Sequence, residues 1–180
     1  MLHRLGLTVT AAALAAAAAA ALPAAAQDQP LAVEMHALTA EGTGDRVGTV
    51  TILPGDGGTS FQVQVSGVKE GEHGFHVHEN PSCDPADGTP GGAAGGHWDP
   101  QNTGTHQGPE GDGHMGDLPF LTADAEGLID DTVTAPRITD MGALRGRALI
   151  IHEGGDTYSD DPHLGGGGGR VACGIIPAAG

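Results

Sequence analysis

The chain has 180 residues, room for one domain and a leader but not for two full-sized domains. Seven Lys plus Arg stand against 23 Asp plus Glu, and the net charge of −16 argues against nucleic acid or an anionic membrane surface as the main partner. Aromatics are only 3% and Gly contributes 32 residues, so the composition points to a core of Val, Ile, Leu and Ala rather than to long helices, and without a Gly-X-Y period it is not collagen.

Residues 1–26 read as an export leader. His3 and Arg4 give a basic start, Leu5 to Leu22 is apolar and Ala-rich without a carboxylate, and Ala24-Ala25-Ala26 offers a small-residue cleavage site. A retained anchor is the competing reading, because the run nearly reaches the ~20 residues that span a bilayer. Ala is weak membrane material, so cleavage near Ala26/Gln27 is preferred. Residues 27–180 then form one domain, periplasmic or otherwise exported, with no membrane attachment. Export also governs the cysteines: Cys83 and Cys173 are the only two, and in an oxidising compartment such a pair reads as a disulfide. Thiolate metal ligation is the weaker alternative, since neither has a second Cys at zinc-finger spacing.

From Leu31 the pattern is β-rich. Leu31 to Leu38 alternates around Val33 and Met35, Val47 to Leu53 reads V-G-T-V-T-I-L, and Phe61, Val63 and Val65 alternate with Gln62, Gln64 and Ser66. His73 to His78, Leu128 to Val133, Arg147 to His152 and Arg170 to Ile176 complete the predicted strands. Short strands joined by Gly, Pro and Asp turns predict an all-β, antiparallel sandwich or barrel. No window outside the leader sustains a 3.6-residue period. Two segments carry no strand signal, 79–117 and 153–169, and loops of this length inside one domain are usually functional or disordered. The first holds three His, the single Trp and a Cys, a composition unlike a linker.

Histidine carries the chemistry. His76 and His78, at i and i+2 in a strand, project from one face and suit a shared metal. His152 ends another predicted strand. His97, His106, His114 and Asp117 lie close together in the first loop, the last two three residues apart. Nitrogen and oxygen donors without thiolate suit zinc or Cu(II). Competing motifs fail: His152-Glu153-Gly154-Gly155-Asp156 is not H-E-x-x-H, Asp84 to Gly95 lacks EF-hand spacing, and no Ser or Cys sits in a nucleophile elbow. Among the other histidines, His73 reads as a structural hydrogen bonder and His36 and His163 as solvated. Trp98 reads as packing.

G-F-H-V-H-E at 74–79, A-G-G-H-W-D-P at 94–100, H-Q-G-P at 106–109, G-H-M-G-D-L-P at 113–119, I-I-H at 150–152 and R-V-A-C-G at 170–174 together resemble the bacterial copper/zinc superoxide dismutases. The resemblance covers essentially the whole chain after the leader, in order. It implies that family's Greek-key β-barrel or sandwich with two long functional loops, and one copper and one zinc per chain. By resemblance, copper takes His76, His78, His97 and His152, and zinc takes His97, His106, His114 and Asp117, so His97 is shared. Asp156 matches a carboxylate linking a copper histidine to a zinc histidine, here His76 to His106. Arg170 matches the cation beside the copper, and Cys83 with Cys173 the family's disulfide.

The implied reaction turns two superoxide anions and two protons into dioxygen and hydrogen peroxide as copper alternates between Cu(II) and Cu(I). In it Arg170 attracts the anion and His97 passes a proton. A non-catalytic metal-holding barrel would be marked by loss of a ligand or of Arg170, and none is lost. A secreted adhesion sandwich leaves the ordered ligands unexplained. The resemblance leaves room for a homodimer. One departure stands out: the loop after His152 carries Glu153, Asp156, Asp160 and Asp161 and no Lys, where many relatives place lysines near the channel.

The intact mass of exported protein is expected to match a chain starting at Gln27. A soluble form that keeps residues 1–26 would contradict the leader.

Overall fold

The alternation seen in the sequence becomes a sheet whose inner face is the core. In the computed structural model, which describes residues 29–178, strand β1 (Leu31–Thr39) buries Leu31, Val33 and Met35 and exposes Ala32 and Glu34 between them. Strand β3 (Gly58–Ser66) does the same with Phe61, Val63 and Val65 against Gln62, Gln64 and Ser66. Between them β2 (Gly42–Gly55) pairs antiparallel with both, matching Val50 with Val33 on one side and Val63 on the other. Pairing by burial is what fixes register, since a one-residue slip would turn every apolar side chain to water.

The remaining strands are β4 (Gly71–His73), β5 (Phe75–His78), β6 (Leu121–Ala123), β7 (Leu128–Ala135), β8 (Ala148–His152) and β9 (Arg170–Ile175). Seven form one antiparallel sheet in the order β5-β8-β9-β1-β2-β3-β7, and β4 pairs with β6. Although β5 and β3 lie near opposite ends of that order, Phe75 and Phe61 meet edge to face with ring centroids 5.8 Å apart. The sheet therefore curls over its own inner face, a half-barrel, as the expected all-β antiparallel class requires. Short 3-10 turns are the only helical segments among the described residues. The leader at 1–26 lies outside the described residues.

Two strands are buried on both faces. In β8, Leu149 and Ile151 enter the main core, while Ala148 and Ile150 face outward into a second cluster with Cys83, Ala94 and Cys173. In β5, Phe75 and Val77 face the core and His76 and His78 face outward, yet all four are buried. What covers this outer face is the loop that follows β5. The predicted continuous strand 73–78 is broken: Gly74 donates to Gly154 O at 2.7 Å and accepts from His152 N at 2.8 Å, so the chain leaves β6 at His73 and joins β8 at Phe75. Strand β6 has three residues, too few for a readable alternation.

A disulfide joins Cys83 of the covering loop to Cys173 of β9 across a sequence separation of 90 residues. Closing a loop of that length in the unfolded chain is worth on the order of 4–5 kcal/mol in the chain-entropy picture. The double variant Cys83→Ser, Cys173→Ser is therefore expected to lose several kcal/mol of unfolding free energy in urea. A loss below about 1 kcal/mol would show that the loop is held by other contacts.

Candidate metal centre

The outer face of β5 and β8 supplies the first three donors. His76 pairs with Ile150 and His78 with Ala148, and His152 follows on the same face of β8, so strand periodicity alone sets three imidazoles side by side. The loop after β5 is then stitched onto this face. Single β-bridges join His78 to His97 and His76 to Asp117, and backbone bonds run from Val77 N to Gly116 O at 2.9 Å and from Trp98 N to Val77 O at 2.8 Å. His106 and His114 are carried by the same loop, with His114 N donating to Thr105 O at 2.9 Å. All six histidines and both Asp117 and Asp156 are buried.

Two donor sets result, each with one atom per residue within 4.8 Å of the others: His76, His78, His97 and His152, and His76, His97, His106 and Asp117. The first is the expected copper set. The second differs from the expected zinc set by carrying His76 in place of His114. His76 enters because its ring stacks on His97 with centroids 3.9 Å apart. Its Nε2, however, points away to Asp156 Oδ2 at 2.8 Å. His114 stands slightly farther out, with Nδ1 3.4 Å from Asp117 Oδ1.

The ring nitrogens are sorted by their partners. Asp156 accepts from His76 Nε2 and, through Oδ1, from His106 Nε2 at 2.7 Å. His78 Nδ1 donates to Gly95 O at 3.0 Å, and His97 Nδ1 lies 2.9 Å from Asp117 Oδ1. Once the outer nitrogen of a histidine donates, the other presents a lone pair. That leaves three buried atoms without a hydrogen-bond partner: Nδ1 of His76, of His106 and of His114. His106 Nδ1 is 3.0 Å from Asp117 Oδ2 yet makes no well-directed bond to it. Buried unpaired nitrogens cost free energy unless something accepts their lone pairs. Bound cations do so, and the donor set fits nitrogen- and oxygen-ligated copper and zinc.

Protonation differs between the donors. Burial, helped by the neighbouring His97, holds His76 and His78 well below the ordinary imidazole range and takes His152 down to about 3, so all three are neutral donors near pH 7. His106 goes the other way: burial opposes its charge, but the Asp117 and Asp156 carboxylates outweigh that and raise it to about 9. Asp117 is correspondingly pulled below the usual carboxylate range: burial alone would raise it, but His106 and His97 outweigh that.

A cavity of about 320 Å³ opens over the first donor set, lined by His78, His97, His152, His163 and Arg170 among others. The Arg170 guanidinium is fixed at its wall by Nη1 donating to Gly91 O and Nη2 to Gly95 O at 2.6 Å. Burial lowers its pKa, but an arginine so placed stays charged. His163 lies in the lining and is exposed. His73 is structural, its two ring nitrogens set against His152 O at 2.6 Å and Lys69 O at 2.7 Å. Trp98 packs in the core with Arg147 4.3 Å above its ring. His36 is away from the centre, near Gly44 O.

Sequence reading missed three supports. Arg137 grips the first loop by donating to Gly113 O at 2.9 Å and His114 O at 3.3 Å. Gly165 lies so close to Asp156 that a Cβ there would fall 2.1 Å from Oδ1, and its φ is +72°. Tyr158 donates its backbone N–H to Asp156 Oδ1 at 2.8 Å. The scarcity of Arg in so acidic a chain was the one signal available, and only for the first.

An antiparallel β half-barrel whose outer face presents two adjacent donor sets with a histidine in common defines a metalloprotein with a paired metal centre. The copper/zinc superoxide dismutase family model matches residues 46–176. A superoxide dismutase [Cu-Zn] of Brucella abortus is 53% identical over 149 residues, 80% of this chain and 86% of that one. Its solved counterpart from the same species superposes with a TM-score of 0.80 at 51% identity, covering 82% of this chain and 99% of the other. The solution structure of the monomeric enzyme from Salmonella enterica gives 0.74 at 50% identity, with 82% and 99% covered. The chain belongs to the copper/zinc superoxide dismutase family. It is accordingly an enzyme that dismutates superoxide with copper and zinc as cofactors, and the non-catalytic alternative is not favoured.

Zinc binding at His106 would have to displace the proton that this histidine keeps up to about 9. Below that pH the proton competes, so zinc affinity of the metal-free protein is expected to rise about tenfold per pH unit from this group between pH 7 and 9. Calorimetry in two buffers of different ionisation enthalpy measures the released proton. A flat affinity across this range would contradict the assignment.

Proposed function

We propose that this chain's own residues divide the dismutase chemistry as follows: His76, His78, His97 and His152 hold copper, His97, His106, His114 and Asp117 hold zinc, and Arg170 and His97 serve the substrate. The observation that carries this division is the direction of the buried lone pairs. His76 Nε2 is spent on Asp156, leaving Nδ1 unpaired, and the Nδ1 atoms of His97, His106 and His114 all lie within 3.4 Å of the Asp117 carboxylate. When bound, copper supplies the one-electron change that dismutation needs and zinc a redox-inert charge.

The protein's part is binding, orientation and proton transfer. Arg170 offers a fixed positive charge at the cavity wall, in a chain whose overall charge repels an anion. His97 keeps Nδ1 toward Asp117, so Nε2 is the atom able to take a proton and return it to the reduced oxygen species. Two superoxide ions and two protons leave as dioxygen and hydrogen peroxide. Asp156, by accepting from His76 and His106 together, ties the two donor sets into one rigid unit.

Export belongs to the same proposal, with residues 1–26 as a cleaved leader and the periplasm as destination; a buried disulfide suits an oxidising compartment. The homodimer finds little to build on. Among the described residues only Leu128 and Ile175 are large hydrophobics left exposed, and the Salmonella neighbour is described as monomeric.

A unit charge ~5 Å from an anion is worth about 1–3 kcal/mol for effective dielectrics between ~80 and ~20. Arg170→Ala is therefore expected to lower the second-order rate constant at least several-fold, and Arg170→Glu more, with metal content unchanged. His106→Ala is expected to lose zinc first and retain copper, and His152→Ala to abolish turnover while leaving the fold intact. Pulse radiolysis and elemental analysis read these outcomes. Full activity in Arg170→Glu, or full zinc in His106→Ala, would overturn the corresponding role.

A further inference from the structure

Asp156 is useful only where it stands, yet it sits in the irregular segment 153–169. Something must hold that segment against the loop that carries His106. Two residues beyond Asp156, Tyr158 takes up a left-handed conformation with φ +54°, unusual for a residue with a bulky side chain and costly by ~1–2 kcal/mol. In that conformation its backbone N–H reaches Asp156 Oδ1 at 2.8 Å while its side chain reaches away, across to the other loop.

The side chain meets three things there. Its ring stacks on Phe120, centroids 5.8 Å apart at 30°. Its hydroxyl oxygen accepts from Phe120 N at 3.0 Å. Its inner edge lies over Gly108, where an added Cβ would fall 2.6 Å from Cγ and 2.7 Å from the Tyr158 Cβ. Gly108 is two residues past His106 and has φ +70°. The ring thus occupies a notch that a glycine provides, and Asp156 is connected to that contact through a single intervening residue, Thr157.

We propose that Tyr158 is a positioning residue: by locking the second loop onto Gly108 and Phe120 it holds the Asp156 carboxylate in simultaneous reach of His76 and His106, and so controls how tightly zinc is retained. This rests on the zinc assignment made above. Gly165, packed against the same carboxylate and against the His106 ring, limits how far Asp156 can retreat but makes no hydrogen bond to that carboxylate to hold it there. Outer hydrogen-bond partners of metal-bound histidines typically change metal affinity by about 10–100-fold when removed.

The test uses the metal-loaded protein and variants at two ends of the contact. Tyr158→Ala removes the ring, Tyr158→Phe keeps the ring and loses the hydroxyl, and Gly108→Ala leaves Tyr158 in place but fills its notch. Zinc release to a chelator is timed, and Co(II) substituted for zinc reports ligand geometry through its visible spectrum. Tyr158→Ala and Gly108→Ala are each expected to release zinc about tenfold faster or more, with altered Co(II) bands, and Tyr158→Phe to fall between them and the parent. Combined, the two alanine changes are expected to add less than the sum of their separate effects, because they break one contact. Release within twofold of the parent in either Tyr158→Ala or Gly108→Ala, or an unshifted Co(II) spectrum in both, would overturn the lock. His106→Ala serves as the reference: if it keeps zinc, the zinc assignment fails; if it loses zinc while Tyr158→Ala does not, only the lock fails.

Discussion

Two buried carboxylates organise the centre, because each decides which way the imidazoles around it point. Asp117 faces the Nδ1 atoms of His97, His106 and His114, and Asp156 takes the Nε2 hydrogens of His76 and His106. A neutral histidine has one donor and one acceptor nitrogen, so fixing the donor fixes the direction of the lone pair. Six imidazoles packed under a loop with unpaired nitrogens would otherwise weaken the fold. The strands give no relief, since β5 and β8 are buried on both faces. Metal binding converts that cost into stability, and folding and loading are consequently one thermodynamic problem.

Substrate access poses the opposite problem, too much negative charge. The chain carries −16 overall, and the second loop exposes Glu153, Asp160 and Asp161. Beyond a Debye length of ~8 Å at physiological salt, exposed charges are largely screened, so the local field around Arg170 counts for more than the total. Arg170 owes its place to two carbonyls of the covering loop, Gly91 and Gly95, and Gly95 O also orients His78. The proposed anion attraction and the geometry of the donors therefore depend on the same few peptides, which the disulfide at Cys83 anchors to β9.

Most of the framework was legible because it rests on period-two burial. Leu31-Val33-Met35 and Phe61-Val63-Val65 alternate in sequence and in space, and His76 and His78 share a face as their spacing demands. The loop donors were legible as a cluster, but their division between two metals came only through resemblance: nothing local to His97, His106, His114 and Asp117 says that β-bridges to β5 will bring them onto the outer face of that strand. The break at Gly74 was marked only by the glycine itself, which weakens a strand pattern, while the switch is made by backbone bonds to Gly154 and His152. Gly165 and Tyr158 were invisible, and Arg137 nearly so, because their partners lie in other segments. Each acts across long sequence distances, through carbonyls or close approach rather than through a residue type that announces a role.

Crystals of the copper- and zinc-loaded protein, measured with X-rays on either side of each metal's absorption edge, test the central claim most directly. The account predicts two separate peaks per chain: copper among His76, His78, His97 and His152, and zinc among His97, His106, His114 and Asp117, with the His97 ring between them. Zinc coordinated by His76 in place of His114, or both metals sharing one position, would contradict it.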